Sequence, residues 1–243
     1  MKKFLGLIVL FLYLVFPKLT LADFSVPILM YHYVGENPNP ADLARNYLSV
    51  TPDKFEGQLT YLKDNGYTPI DLNTLYGIFN NQTTAPNKPI VLTFDDGYID
   101  FYTTAYPILA KYNFKAVSFI PTGLIGTGYY MNWDQIKEIQ KSGLVTFEAH
   151  TISHPNLTFL PPNEALRELK EGKEILQSQT GYPVNFIAYP LGISNYQVQD
   201  LAKQAGFVGG VGTWTGKANQ PEINMPRIRI NGQLSLAEFA TKL

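Results

Sequence analysis

The sequence predicts an α/β fold, one domain built on a parallel sheet that is either closed as a barrel or open. Two observations carry this. From residue 24 onward, segments patterned as strand and as helix take turns about seven times. No sequence unit repeats and no linker interrupts the interior, which suits a single domain in a chain of 243 residues.

The elements follow in order. "VPILMYHYV" (26–34) reads as one buried strand, and a polar loop with Pro38 and Pro40 follows it. "TPDKFEGQLTYLKDNG" (51–66) reads as a helix: Thr51 caps it, Pro52 opens it, Phe55, Leu59 and Leu62 share a face, and Gly66 stops it. "YTPI" is a short strand, and residues 71–80 form a short helix. Then come strand "PIVLTF", helix "DFYTTAYPILAKYN", strand "KAVSFI", helix "NWDQIKEIQKSG" and strand "LVTFEA". Residues 163–181 form the clearest helix, with Asn163 as cap and Gly181 as end. Strand "VNFIAY", helix "SNYQVQDLAKQAG" and strand "FVGGVG" complete the series.

The first 22 residues stand apart. A basic "MKK", an apolar "FLGLIVLFLYLVF" and a small-residue "TLA" have the three parts of a secretory signal. The apolar run is short for a membrane span, which needs about 20 residues, so a cleaved signal is expected ahead of a domain over 23–243, with a retained anchor as the alternative. The protein is then exported: periplasmic, cell-surface or secreted. Without the signal the chain keeps 16 basic and 20 acidic residues, which gives no electrostatic footprint for nucleic acid. There are no cysteines, hence no disulfide and no thiolate metal site. Sixteen Tyr and fifteen Phe exceed what a minimal core needs, and some are expected to line a groove.

In such folds chemistry collects at the carboxyl ends of the strands. His32 lies at the end of the first strand, Asp95 and Asp96 follow "PIVLTF", and His150 and His154 follow "LVTFEA". Every histidine in the chain thus falls on one face with an Asp pair. Two His and one Asp suit a catalytic zinc, which uses three protein ligands and leaves a position for water. One Asp then binds the cation and its neighbour stays free as a base, and the cation offsets the repulsion between the two. The same donors suit Co²⁺, Ni²⁺ or Fe²⁺. Glycoside hydrolysis by the Asp pair fails, because its two carboxyls must flank a sugar about 5–9.5 Å apart.

"TFDDG" (93–97), "HTISH" (150–154) and "YPLG" (189–192), in this order, resemble the metal-dependent polysaccharide deacetylases of carbohydrate esterase family 4, the NodB homology domain. The resemblance runs from about residue 26 to about 230. It implies a distorted (β/α) barrel of about seven parallel strands that removes acetyl groups from N-acetylglucosamine units. It also implies Asp95 as general base, Asp96, His150 and His154 as metal ligands, and the Leu191 N–H as an oxyanion donor. Two departures stand out. The arginine that commonly orients the base is replaced by Ala188, and no histidine follows residue 154 to act as acid. Both departures resemble the exported poly-β-1,6-N-acetylglucosamine deacetylases, whose acid His sits on an N-terminal strand; His32 fits that role. Peptidoglycan, chitin oligomers and a non-catalytic carbohydrate-binding role are the alternatives. Trp214 is read either as part of an acetyl pocket or as core. Residues 126–133 are read as a sugar-facing loop or a plain connection. Arg227 and Arg229, on one face of "PRIRI", are read as solvated, with contact to an anionic substrate as the alternative.

Overall fold

The computed structural model describes residues 24–243; the signal expected over residues 1–22 lies outside them. The elements are β1 (Ile28–Tyr31), β2 (Tyr33–Val34), α1 (Leu43–Leu48), β3 (Ser49–Val50), α2 (Pro52–Asp64), β4 (Thr68–Pro69), α3 (Leu72–Phe79), β5 (Pro89–Phe94), α4 (Tyr106–Tyr112), β6 (Ala116–Ile120), α5 (Trp133–Lys141), β7 (Val145–Ala149), α6 (Pro162–Thr180), β8 (Phe186–Ala188), α7 (Tyr196–Gln204), β9 (Gly209–Val211), β10 (Ile228–Arg229) and α8 (Leu236–Thr241).

Seven parallel strands run in the order β10-β1-β5-β6-β7-β8-β9, with β4 pairing onto the start of β5. The sheet is curled. Met225 bridges to Val211 at the end of β9, while β10 pairs with β1 at the opposite edge. The short segment 225–229 therefore touches both ends of the sheet, and this seam proves central to the site. Among the described residues no helix is long and apolar enough to cross a membrane.

Both faces of the sheet are buried, as a parallel sheet requires. Leu29, Tyr31, Leu92 and Phe94 face the surrounding helices. Ile28, Val91, Val117, Phe119, Phe186 and Val211 fill the interior, which Leu72, Leu75 and Ile78 of α3 help to close. Alternation along each strand divides these two sets. Helix α2 forms as its sequence dictates: Thr51 accepts a hydrogen bond from the Lys54 N–H, worth about 1 kcal/mol, and Phe55, Leu59 and Leu62 are fully buried.

Three readings need correction. The strand expected over 26–34 breaks at His32: β1 stays in the main sheet, and β2 leaves it to pair with β3. Helix α6 begins at Pro162 rather than after an Asn163 cap; Pro161 holds the capping position without a side-chain bond, while Gly181 ends the helix at φ +76° as expected. The helix expected from Asp100 opens as a π-helical turn, Phe101–Ala105, before α4. Pro107, in the first turn of α4, has no N–H to give the Thr103 carbonyl, which accounts for the wider turn there.

Candidate active site

Strand register assembles the site. Tyr31 pairs with Phe94 in the parallel β1–β5 ladder, so the next residues, His32 and Asp95, leave the sheet side by side. Ile120 pairs with Ala149, and Ala149 with Ile187, which brings His150 beside Ala188. His32, Asp95, Asp96, His150, His154 and Leu191 all line one cleft of about 350 Å³. The structure therefore brings every predicted site residue together.

Asp96 Oδ1 lies 3.2 Å from His150 Nε2 and 3.4 Å from His154 Nε2, and the three donor atoms lie within 4.8 Å of one another. His150 Nδ1 is 2.7 Å from the Ala188 carbonyl, which can only accept, so Nδ1 carries a proton in either charge state; Nε2 donates to Asp96 when the ring is protonated and offers a lone pair when it is neutral. Lone pairs converging from a carboxylate and two imidazoles suit a divalent cation. Burial alone would push the Asp96 carboxyl up; the hydrogen bond and charge of His150, then the charges of His32 and His154, outweigh it and hold Asp96 far below the usual carboxylate range. The backbone is held in left-handed conformations at Asp96 (φ +73°), Thr151 (+68°), His154 (+58°) and Leu191 (+59°). Each costs roughly 1–3 kcal/mol and persists only where surrounding structure enforces it.

Asp95 is buried, and what orients it is Arg227. Nη1 donates to Oδ1 and Nη2 to Oδ2, both at 2.7 Å. Two further donors are also placed: Nε on the Gly212 carbonyl at 2.7 Å, and Nη1 on Thr93 Oγ1 at 3.0 Å. Arg227 is fully buried, which corrects the solvated reading of this segment. Arg227 and Arg229 do share a face, but that face is the barrel interior: Ile228 between them packs outward, and Arg229 lines the cleft. Arg227 fills the role left open by Ala188, from the seam between the sheet's two ends. Burial would raise the Asp95 pKa; the charge and hydrogen bonds of Arg227 win, so it lies below the ordinary carboxylate range.

His32 Nε2 sits 3.9 Å from Asp95 Oδ2. Burial lowers the His32 pKa; the charges of Asp95 and Asp96 pull it up, and those of Arg227 and Arg229 push it down again, with a net fall. Leu191 lies in the 3₁₀ turn Pro190–Gly192, at the mouth of the cleft. A side chain at Gly192 would be strained at φ +70°, and its Cβ would stand 2.0 Å from Thr213 Oγ1, so the turn or Thr213 would have to shift. Trp214 is not a core residue: its ring is half exposed and its indole N–H donates to the Asn224 carbonyl; it stands next to Thr213, which lines the cleft, without lining the cleft itself. The aromatic expectation holds in part. Tyr98 and Tyr189 line the cleft, and Tyr98 stacks between Tyr33 at 4.0 Å and Tyr130 at 5.2 Å, so the 126–133 loop packs behind Tyr98 rather than lining the cleft itself.

Known proteins are similar to this chain in sequence and fold. A family model described as polysaccharide deacetylase matches residues 82–210. YxkH of Bacillus subtilis strain 168, which carries that family's name, is 31% identical over 217 residues, covering 88% of this chain and 75% of its own. The poly-β-1,6-N-acetyl-D-glucosamine N-deacetylase of Staphylococcus aureus MRSA252 is 32% identical over 204 residues, covering 77% of this chain and 69% of its own. Among solved structures, the Streptococcus pyogenes deacetylase PplD in complex with acetate superposes with a TM-score of 0.84 at 35% identity, over 90% of this chain and 98% of its own. With this barrel and these relatives, the chain belongs to the polysaccharide deacetylase family and is a hydrolase of amide bonds.

Proposed function

We propose that the chain is a metal-dependent N-deacetylase of N-acetylglucosamine polysaccharide, with poly-β-1,6-N-acetylglucosamine as the favoured substrate, acting outside the cytoplasm. One observation carries the reading: three donor atoms of Asp96, His150 and His154 within 4.8 Å of one another, beside an Asp95 locked by Arg227. The Staphylococcus aureus relative's name supports the substrate, and the charge-then-apolar order of residues 1–22 supports export.

Asp96, His150 and His154 would hold the ion, zinc by preference. Bound there, a divalent ion lowers the pKa of water and polarises a carbonyl oxygen. The chain's own residues do the rest. Asp95, ionised at neutral pH, takes a proton from the attacking water. The Leu191 N–H faces the oxygen on which negative charge develops; one such donor is worth roughly 2.7–4 kcal/mol. The 3.9 Å between His32 Nε2 and Asp95 Oδ2 gives the proton taken up by Asp95 a short path to His32, whose own pKa lies below the ordinary imidazole value. His32 then delivers that proton to the departing amine nitrogen, so acetate and a glucosamine unit leave.

The test is acetate release from poly-β-1,6-N-acetylglucosamine, chitin oligomers and peptidoglycan by the purified chain. The first is expected to turn over fastest. Faster release from either of the others overturns the substrate, and no release from any overturns the reading.

A further inference from the structure

Both imidazoles of the proposed metal set come from one five-residue loop, His150–His154, and the loop is clamped from two sides. Its carbonyls are taken by the turn after β6: the Thr122 N–H donates to the Thr151 carbonyl at 3.1 Å, and the Gly123 N–H to the Ile152 carbonyl at 2.8 Å. Its donors converge on one carboxylate. Glu168 Oε2 accepts from the Ile152 and Ser153 N–H groups, and Oε1 accepts from Ser153 Oγ, all at 2.9 Å.

Glu168 lies on α6, is 5% exposed and is not among the residues lining the cleft. One turn further along the helix, Gly172 lets α6 press on the loop: an added Cβ would stand 2.8 Å from the Thr151 carbonyl carbon. The loop needs this support, since Thr151 and His154 both hold left-handed conformations. The His154 N–H closes the loop on Thr151 Oγ1 at 3.1 Å. Two backbone N–H donors face Oε2, and a hydroxyl that can donate or accept faces Oε1. A glutamine of the same shape keeps all three contacts only by turning its NH₂ group on Ser153 Oγ, and it gives up the stronger charge-assisted bonds that a carboxylate makes to the two N–H groups.

We infer that Glu168 is a positioning residue for the metal-binding loop, setting the separation of His150 Nε2 and His154 Nε2 and hence the grip of the site on its ion. The inference rests on the metal reading above. Groups that orient ligands from behind typically change metal affinity 10–100-fold when replaced.

The experiment is Co²⁺ titration of metal-free wild-type, Glu168→Gln and Ser153→Ala chains, following the visible absorption of bound Co²⁺, with thermal unfolding of the same metal-free samples. Glu168→Gln is expected to bind Co²⁺ roughly 10–100-fold more weakly with an altered spectrum, and Ser153→Ala several-fold more weakly. A Glu168→Gln chain that melts earlier yet binds Co²⁺ with wild-type affinity and spectrum overturns the inference, because the contact is then only structural. If Glu168→Gln yields no folded protein, Ser153→Ala decides: several-fold weaker binding supports the inference, and wild-type affinity overturns it. A wild-type chain that takes up no Co²⁺ overturns the metal reading itself, and this inference with it.

Discussion

Arg227 grips Asp95 across the seam of the barrel, each guanidinium Nη 2.7 Å from a different carboxylate oxygen. A buried, bidentate pair of this kind does two things. It keeps the Asp95 charge satisfied in a dry interior, and it fixes the carboxylate plane against the cleft. Arg227→Ala leaves Asp95 buried and unpaired, so stability is expected to fall by about 3–5 kcal/mol, measured by denaturant unfolding. Arg227→Lys keeps the charge but loses the fork. Weaker hold on the carboxylate raises the Asp95 pKa, and the base must be ionised to work, so the acid limb of the kcat/KM profile is expected to move to higher pH. An unmoved limb would mean that Asp95 is not the titrating base.

The two adjacent aspartates are expected to separate cleanly by mutation. Asp95→Asn should reduce acetate release by roughly 10²–10⁴-fold, the usual weight of a general base, with the metal still bound. Asp96→Asn should lose the metal first and activity as a consequence. Metal analysis beside an acetate assay reads both, and equal metal loss in the two variants would contradict the division of labour.

Gly192 is tested by a single methyl group. Gly192→Ala places Cβ at 2.0 Å from Thr213 Oγ1 and forces a side chain to φ +70°. The conformational cost alone is about 1–2 kcal/mol, and the clash must be relieved by shifting the Leu191 turn or Thr213. Lower thermal stability together with reduced kcat/KM is expected. A variant with wild-type values for both would show that the turn is not held where the cleft needs it.

Asp100 carries a pH prediction of opposite sign to that of an ordinary ion-paired acid. Burial, only partly offset by the Val34 N–H and Arg45, pushes its carboxyl up to about 6. Oδ2 accepts the Val34 N–H at 3.0 Å, and Oδ1 is buried with no partner among the described residues. Between the unfolded value of 3.8 and about 6 the folded state holds the extra proton, so this group's stability contribution is present below that window and lost as pH rises through it. Asp100→Asn removes the titration. Relative to wild type its stability should rise by up to about 3 kcal/mol from pH 4 to 7, read by urea unfolding across that range. A flat difference contradicts the assignment.

Much of this was legible in the sequence, for stated reasons. Strand–helix alternation fixed a parallel sheet, and parallel strands put all their exits on one face, so His32, Asp95, Asp96, His150 and His154 had to meet. What was not legible depends on partners distant in sequence. "PRIRI" reads as a two-faced strand whether its arginines meet water or a barrel interior; only the curl that brings Met225 to Val211 and Ile228 to Leu29 decides that. Glu168 looks like any charge on an amphipathic helix until the helix is laid against the His150–His154 loop. The break at His32 was hidden because apolar residues continue on both sides of it, while the pairing partner of β2 arrives only at Ser49.

The most direct test strips the purified chain of metal with a chelator, then follows acetate release from poly-β-1,6-N-acetylglucosamine oligomers as Zn²⁺ or Co²⁺ is added back. The account predicts negligible release from the stripped chain and recovery that saturates near one ion per chain, a recovery that Asp96→Asn does not share. Full activity in the stripped chain, or undiminished recovery in Asp96→Asn, would contradict it.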